Sequence, residues 1–316
     1  MTCIGVTWDH PSGVALLKNG AIVAAVNEER YSRKKNDGRF PAKSLDYVSQ
    51  VNGGANFDCV GVASTHPSYS LLLVQYHTLS VRDMLAEQHK YWYPRLYEGK
   101  DVDVAVALAD KCVHDQYPAE YWAGYDKHKQ QTFPEDSRAI IANYLGLHLD
   151  KVVRFDHHLC HNASAYYGSG FDKCYAVSVD AFGDCFSSKI YWCSDGKMQL
   201  RRTIPAYHSP AHHYAYVTAL LGYKVTRHEG KITGLAALGN PQETAKILGK
   251  MITYSSSRKS AVVRGLYHKA EVDYLAEALK GHKKEDIAAG VQQVLERVVT
   301  QFLRTTFPTS PTAISC

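Results

Sequence analysis

No run of about eighteen apolar residues occurs anywhere in the 316-residue chain, so no segment reads as a membrane-spanning helix. The first residues, Met1-Thr2-Cys3-Ile4-Gly5-Val6, lack the basic start and long apolar core of a secretory signal. No CxxC pair exists among the eight cysteines, which argues against a zinc knuckle. Several of those cysteines fall inside apolar runs, so buried free thiols in a reducing compartment are expected, and with them a cytoplasmic location. Neither sign of charge dominates. A net charge of +5 permits an anionic substrate but is too small for the footprint of a nucleic-acid binder. The composition that remains, 45% hydrophobic and 21% charged, suits a soluble globular protein of one large domain or two medium lobes.

The opening residues predict strands at Cys3 to Trp8, Gly13 to Leu17 and Ala21 to Asn27. The last two are joined at Lys18-Asn19-Gly20, where Asn-Gly supplies the hairpin turn. A helix from Ala42 to Val51 follows Pro41, which suits a first helical turn. A fourth strand covers Asp58 to Ala63. Three antiparallel strands and then a helix is how a ribonuclease-H-like lobe begins. Residues from about 66 to 135 are rich in Tyr, His and Trp without a strand pattern, and read as an inserted, mostly helical segment. A helix from Ser137 to Leu147 and a strand from Lys151 to Phe155 lead into Asp156-His157-His158-Leu159-Cys160-His161 and a small-residue helix, Asn162 to Tyr167. Three strands then recur, at Lys173 to Val179, Cys185 to Cys193 and Met198 to Thr203, the last two turned by Asp195-Gly196. Helices are expected at Glu271 to Leu279 and at Lys284 to Arg304, where Ile287, Val291, Val294, Leu295 and Val298 form one stripe. The ending Pro311-Thr312-Ala313-Ile314-Ser315-Cys316 reads as the entry to a strand.

Several clusters carry chemistry. His157 and His161, four residues apart at the start of a helix, share a face and can reach one metal ion, although the spacing is also met by chance on surfaces. Asp156 is placed to cap that helix, and His158 is expected to point elsewhere. Asp180-Ala181-Phe182-Gly183-Asp184 is expected on the turn between two strands. It can bind a metal, or a phosphate through one, or it is simply a hairpin rich in Asp and Gly. In Arg227 to Gly239, Glu229 could accept hydrogen bonds from ribose hydroxyls and Lys231 could meet a phosphate; the plain alternative is a helix flanked by turns. The basic run Arg30 to Pro41 is either a solvated loop or an anion holder. His10 follows the first strand. His208, His212 and His213 are expected as surface residues at a helix start.

In order and spacing these blocks resemble the NodU/CmcH-type O-carbamoyltransferases. Asn27-Glu28-Glu29-Arg30-Tyr31-Ser32-Arg33-Lys34-Lys35 is close to the family's EERFxRxKxD, Asp180 to Asp184 resembles DGxGD, and Glu229-Gly230-Lys231-Ile232-Thr233-Gly234-Leu235-Ala236 is the fourth block. The most specific is Asp156-His157-His158-Leu159-Cys160-His161-Asn162-Ala163-Ser164-Ala165-Tyr166-Tyr167. The resemblance implies an α/β fold of the ASKHA type (actin/Hsp70-like, ribonuclease-H-like, Kae1-like). The first lobe would span 1–170 with its insertion at about 66–135, and a partial second lobe 171–316. It implies carbamoyl transfer from carbamoyl adenylate, made from carbamoyl phosphate and ATP, to a hydroxyl of a small-molecule acceptor. His157, His161 and Asp180 would hold a divalent metal, Fe2+ foremost, with Mn2+ or Zn2+ as alternatives. His10 and Lys35 would sit at the reacting centre, with Gly183, Asp184, Glu229, Lys231 and Gly234 on the nucleotide. Two motifs depart from the family: Asp9-His10-Pro11-Ser12-Gly13 replaces HDSAA, and Ala181 replaces the first Gly of DGxGD. The family continues into an AGGV-type strand, a further metal-ligand Asp and a YrdC-like domain absent from this sequence. A separate chain carrying that half is therefore an expected partner, and a catalytically silent binding or scaffold half is the alternative function. No membrane or nucleic-acid partner is expected. A DHH-type phosphoesterase, suggested by Asp156-His157-His158 and Asp101-Val102-Asp103, is disfavoured because its DxD belongs at the end of an early strand. A tRNA threonylcarbamoyl transferase is disfavoured by the EERxxRKK block.

Overall fold

The computed structural model describes residues 1–8, 11–63, 89–90, 94, 98–102, 133–184, 186–225, 227–264, 266, 269–307 and 314–315. His10 and nearly all of the expected 66–135 insertion lie outside the described residues. The described residues divide into two compact units. Those up to 63 and from 133 to 160 belong to the first, and those from 89 to 102 and from 161 onward to the second. No helix among the described residues is long and apolar enough to cross a membrane.

The first unit is a five-stranded mixed sheet with helices. β1 (Thr2–Thr7), β2 (Gly13–Lys18) and β3 (Ala21–Asn27) form an antiparallel meander. The β2–β3 turn is tight because Asn19 and Gly20 accept positive φ, 51° and 84°. β4 (Cys59–Ala63) lies parallel to β1, and β5 (Val152–Phe155) lies parallel to β4, giving the order β3-β2-β1-β4-β5. Alternation sends Ile4, Val6, Val60 and Val62 to one face. There they share a core with Leu45 and Val48 of α2 (Ala42–Asn52) and Ile140 and Ile141 of α3 (Phe133–Leu145). Before α2 comes the short α1 (Glu29–Ser32). The start of α2 is held by Glu28, whose buried carboxylate accepts from Lys43 N (3.2 Å), Ser44 N (2.8 Å) and Ser44 Oγ (2.8 Å). A carboxylate there satisfies orphan N–H groups and meets the positive end of the helix dipole.

After β5, α4 (His157–Ser169) begins at His157, five residues earlier than the small-residue helix expected from the sequence. In the second unit, β6 (Lys173–Gly183), β7 (Phe186–Ser194) and β8 (Lys197–Pro205) form another antiparallel meander. β6 runs four residues past the expected end at Val179. Asp180, Ala181, Phe182 and Gly183 are therefore strand residues rather than turn residues, with the register shifting between Val179 and Gly183. Asp and Gly favour turns, but pairing of Gly183 with Phe186 carries the ladder on to the last residue before Asp184.

α5 (Pro210–Leu220), α6 (Glu229–Ala236), α7 (Thr244–Leu248), the hairpin of β9 (Ile252–Ser255) and β10 (Ser260–Val263), and α8 (Lys269–Ala278) follow. The long α9 (Lys284–Thr306) packs against α5, α6 and α7. Its expected stripe is buried at Ile287, Val291, Val294 and Val298, with Leu295 half-buried at the margin. Gly239 is required by a close approach, since a Cβ there would lie 2.0 Å from the Glu285 carbonyl oxygen. The final short strand, β11 (Ile314–Ser315), pairs parallel with Tyr175 and Ala176 of β6, so this sheet has the order β11-β6-β7-β8.

His212 and His213 are buried in α5, not on the surface as expected. α5 is surrounded by β6, α6, α8 and α9, and His213 Nδ1 meets Glu271 Oε1 of α8. The cysteines are mixed: Cys174 and Cys193 are buried, whereas Cys3, Cys59 and Cys160 are only half-buried.

Candidate metal centre

Asp156 begins the site. Its Oδ1 accepts from Leu159 N at 2.8 Å and its carbonyl accepts from Cys160 N at 3.0 Å, the bonding of an N-cap. With the helix starting there, His157 and His161 lie one turn apart on the same face of α4. His158 is fully buried, its ring edge-on to His157 with centroids 5.3 Å apart.

α4 is fastened to β6 by Asn162, whose Nδ2 donates to Ser178 Oγ at 2.8 Å within buried surroundings. That bond sits one residue after His161 and two before Asp180. It brings His161 Nε2 to 3.7 Å from Asp180 Oδ2. One ligand atom from each of His157, His161 and Asp180 lies within 4.8 Å of the others. Two imidazoles and a carboxylate are a donor set suited to Fe2+, Mn2+ or Zn2+. The His161 and Asp180 side chains are 56% and 36% exposed, so a ligand can reach them.

Asp180 is oriented from behind. Its Oδ1 accepts from Ala181 N at 2.6 Å, and its backbone carbonyl accepts from Ser209 Oγ at 2.7 Å. Ser209 also caps α5, accepting from Ala211 N and His212 N. Buried His212 has its pKa pushed down to about 4 by burial, against the opposing pull of Asp180 and a backbone hydrogen bond with Ala206. Beside the centre opens a cavity of about 580 Å³. His161, Ser164 and Asp180 give it polar lining, and Val177, Val299 and Leu303 give it apolar lining.

The remaining expected residues are placed as follows. Gly183 ends β6, and Asp184 follows it, buried, with φ 48°. Glu229, Lys231 and Gly234 share α6. Glu229 is half-buried, the other two are exposed, and Lys231 Nζ lies 6.0 Å from the Tyr223 ring centroid. Lys35 is exposed on the loop after α1, beside exposed Arg33 and Lys34. That loop is tethered: Asn36 N donates to Glu29 Oε2 at 2.7 Å, and Ser12 N donates to the Asp37 carbonyl at 2.8 Å. Burial pushes the Asp37 carboxyl up, but hydrogen bonds from Arg39 and Ser32 outweigh it and hold the pKa below its ordinary value. Asn162, Ser178, Ser209 and His212 were missed in the sequence. Asn162 had a signal, its place directly after the second histidine, and His212 stood in a histidine cluster that read as surface; Ser178 and Ser209 had none.

The family model described as carbamoyltransferase N-terminus matches residues 2–310. Among curated proteins, the chain is 25% identical over 318 residues to the uncharacterized protein sll1178 of Synechocystis sp., covering 94% of this chain and 47% of that protein. It is 22% identical over 306 residues to the nodulation protein NolNO of Sinorhizobium fredii, covering 94% of this chain and 38% of that protein. A shorter match, 28% over 177 residues, covers 48% of this chain and 28% of the uncharacterized protein MJ1058 of Methanocaldococcus jannaschii. The chain thus spans less than half the length of each of these relatives. Because the family model covers nearly every residue from the first strand to the end of the last helix, the chain belongs to the carbamoyltransferase N-terminus family.

Proposed function

We propose that this chain is the acceptor-side module of an O-carbamoyltransferase, moving a carbamoyl group from carbamoyl adenylate to a hydroxyl of a small molecule. Carbamoyl phosphate and ATP are the sources of the adenylate, whose synthesis is assigned to a part of the enzyme outside this sequence. The observation that carries the proposal is the convergence of His157, His161 and Asp180 within a chain of this family. The order β3-β2-β1-β4-β5, and the start of the same order in β11-β6-β7-β8, support an ASKHA fold.

In this mechanism the helix cap at Asp156, the Asn162–Ser178 clamp and the Ala181 N–H preorganise the three metal ligands. A divalent ion held by these residues, Fe2+ foremost, would supply positive charge to offset phosphate charge. Lys35 brings an ammonium to the developing negative charge, and His10 orients the acceptor hydroxyl and takes its proton. The Ser12–Asp37 backbone bond ties the loop that carries Lys35 to the start of β2. Glu229 and Lys231 on α6, with Gly183 and Asp184, are assigned to the nucleotide. The cavity beside His161 has the mixed lining expected for a small-molecule or nucleotide group.

The test is metal content, measured by mass spectrometry on protein purified anaerobically, beside a His157→Ala/His161→Ala variant. About one equivalent of ion per chain, lost in a variant with an unchanged circular dichroism spectrum, is the expected result for a single three-ligand site. A well-folded wild type that takes up no Fe2+, Mn2+ or Zn2+ would overturn the metal centre. The chain would then be a catalytically silent binding half.

A further inference from the structure

We propose that Cys3 and Cys59 form a reversible thiol–disulfide site that reacts with small disulfides of the oxidised-glutathione class. The two residues are in-register neighbours on the parallel strands β1 and β4. Adjacent strands lie about 4.8 Å apart, inside the range of Cα separations that a disulfide spans. In-register neighbours project to the same face, so the two thiols face one another across adjacent strands. The strands are locked just before the pair: Thr2 N donates to Asp58 Oδ2 at 2.6 Å, and Asp58 N donates to the Thr2 carbonyl at 2.8 Å. The register that places the two cysteines side by side is therefore fixed by the backbone.

The pair is also approachable. Ile4 and Val6 face the core, whereas Cys3 and Cys59 are half-buried on the opposite face. On that face the next residue along β1 is Gly5, and a Cβ there would meet no described atom within 4 Å. A second cross-strand pair provides the contrast. Cys174 and Cys193 face each other across β6 and β7, but both are fully buried.

The chemistry is thiol–disulfide exchange. Cys59, deprotonated, attacks one sulfur of oxidised glutathione. A Cys59–glutathione bond forms, the glutathione S–S bond breaks, and one glutathione thiolate leaves. Cys3, deprotonated, then attacks the Cys59 sulfur, forming the Cys3–Cys59 bond and expelling the second glutathione. The two protons lost by the protein thiols end on the two glutathione thiols, so two protein thiols are oxidised and one small disulfide is reduced. Burial, together with Cys59 and Asp58, pushes the Cys3 thiol up, which leaves less of Cys3 as the attacking thiolate.

The experiment incubates the native full chain with oxidised glutathione, blocks remaining thiols, and maps peptides by mass spectrometry without reduction. The expected product is a Cys3–Cys59-linked peptide that dithiothreitol reverses, with Cys174 and Cys193 still alkylated only after unfolding. In Cys3→Ser the exchange should stop at a glutathione adduct on Cys59; in Cys59→Ser the cross-link should be lost. Full alkylation of both Cys3 and Cys59 after oxidation of the wild type would overturn the proposal, and needs no variant to fold. Appearance of the cross-link only in step with a Cys174–Cys193 link would overturn it as well, since oxidation would then follow unfolding.

Discussion

Removing the Glu271 carboxylate should be among the most damaging single changes in the second unit. Glu271 Oε1 meets His213 Nδ1, and the two side chains are 1% and 3% exposed. The other ring nitrogen of His213, Nε2, is buried without a hydrogen-bond partner. In Glu271→Ala the imidazole loses its remaining partner where water cannot replace it, at about 1–3 kcal/mol for an unmet buried polar group. The emptied side-chain volume adds to this, and breaking one half of a buried pair costs about 3–5 kcal/mol in total. Glu271→Gln keeps an acceptor of the same shape and should cost only about 1–1.5 kcal/mol. Replacing both partners by leucine removes the unmet groups together and should return stability to within about 1 kcal/mol of wild type. Urea titration read by hydrogen exchange in peptides covering α5 and α8 assigns the loss to this unit rather than to the whole chain. The reasoning fails if Glu271→Ala costs less than about 1 kcal/mol, or if the double leucine variant is as unstable as the single alanine variant.

Acid should weaken the same helix through His212. Its pKa falls from 6.5 to about 4 on folding, so the unfolded chain binds the extra proton between those values. The contribution is fully present above pH 6.5 and is lost progressively as pH drops toward 4, a change of about 3 kcal/mol, and His212→Leu should flatten urea midpoints measured across that window. Gly239→Ala should destabilise by about 1–3 kcal/mol in denaturant unfolding, because the new Cβ meets the Glu285 backbone rather than a movable side chain. Asp156→Ala removes the cap on Leu159 N and should cost about 1 kcal/mol. It should also weaken metal uptake at limiting Fe2+, since the first turn carrying His157 loses its anchor.

Where local chemistry decides the conformation, the sequence was legible. Asn19-Gly20 and Asp195-Gly196 demand positive φ, and both turns form with φ 51° and 84°, and 51° and 70°. The stripe on α9 and the four-residue spacing of His157 and His161 are properties of one helix, and both hold. Asp180 to Gly183 read as a turn because their composition favours one; pairing of Gly183 with Phe186 of β7 carries the strand past them, with Asp180 to Phe182 in an irregularity of the ladder. His212 and His213 read as surface because polar residues at a helix start usually are. Glu271, 58 residues further on, reverses that for His213, and burial behind β6 reverses it for His212.

The sequence by itself determined the strands of the two meanders apart from the end of β6, the hairpin turns at Asn19-Gly20 and Asp195-Gly196, the helix that presents two imidazoles, and the family to which the chain belongs. Each of these is written in residues close together along the chain, where sterics, side-chain periodicity and capping act directly. Only the tertiary structure brought Asp180, which the resemblance had named, within 4.8 Å of those imidazoles, and only it decided that Asn162 and Ser178 hold α4 to β6 and that Cys3 stands beside Cys59. Such meetings depend on how sheets register and helices pack over tens of residues, and side-chain identity alone does not specify which distant neighbour arrives.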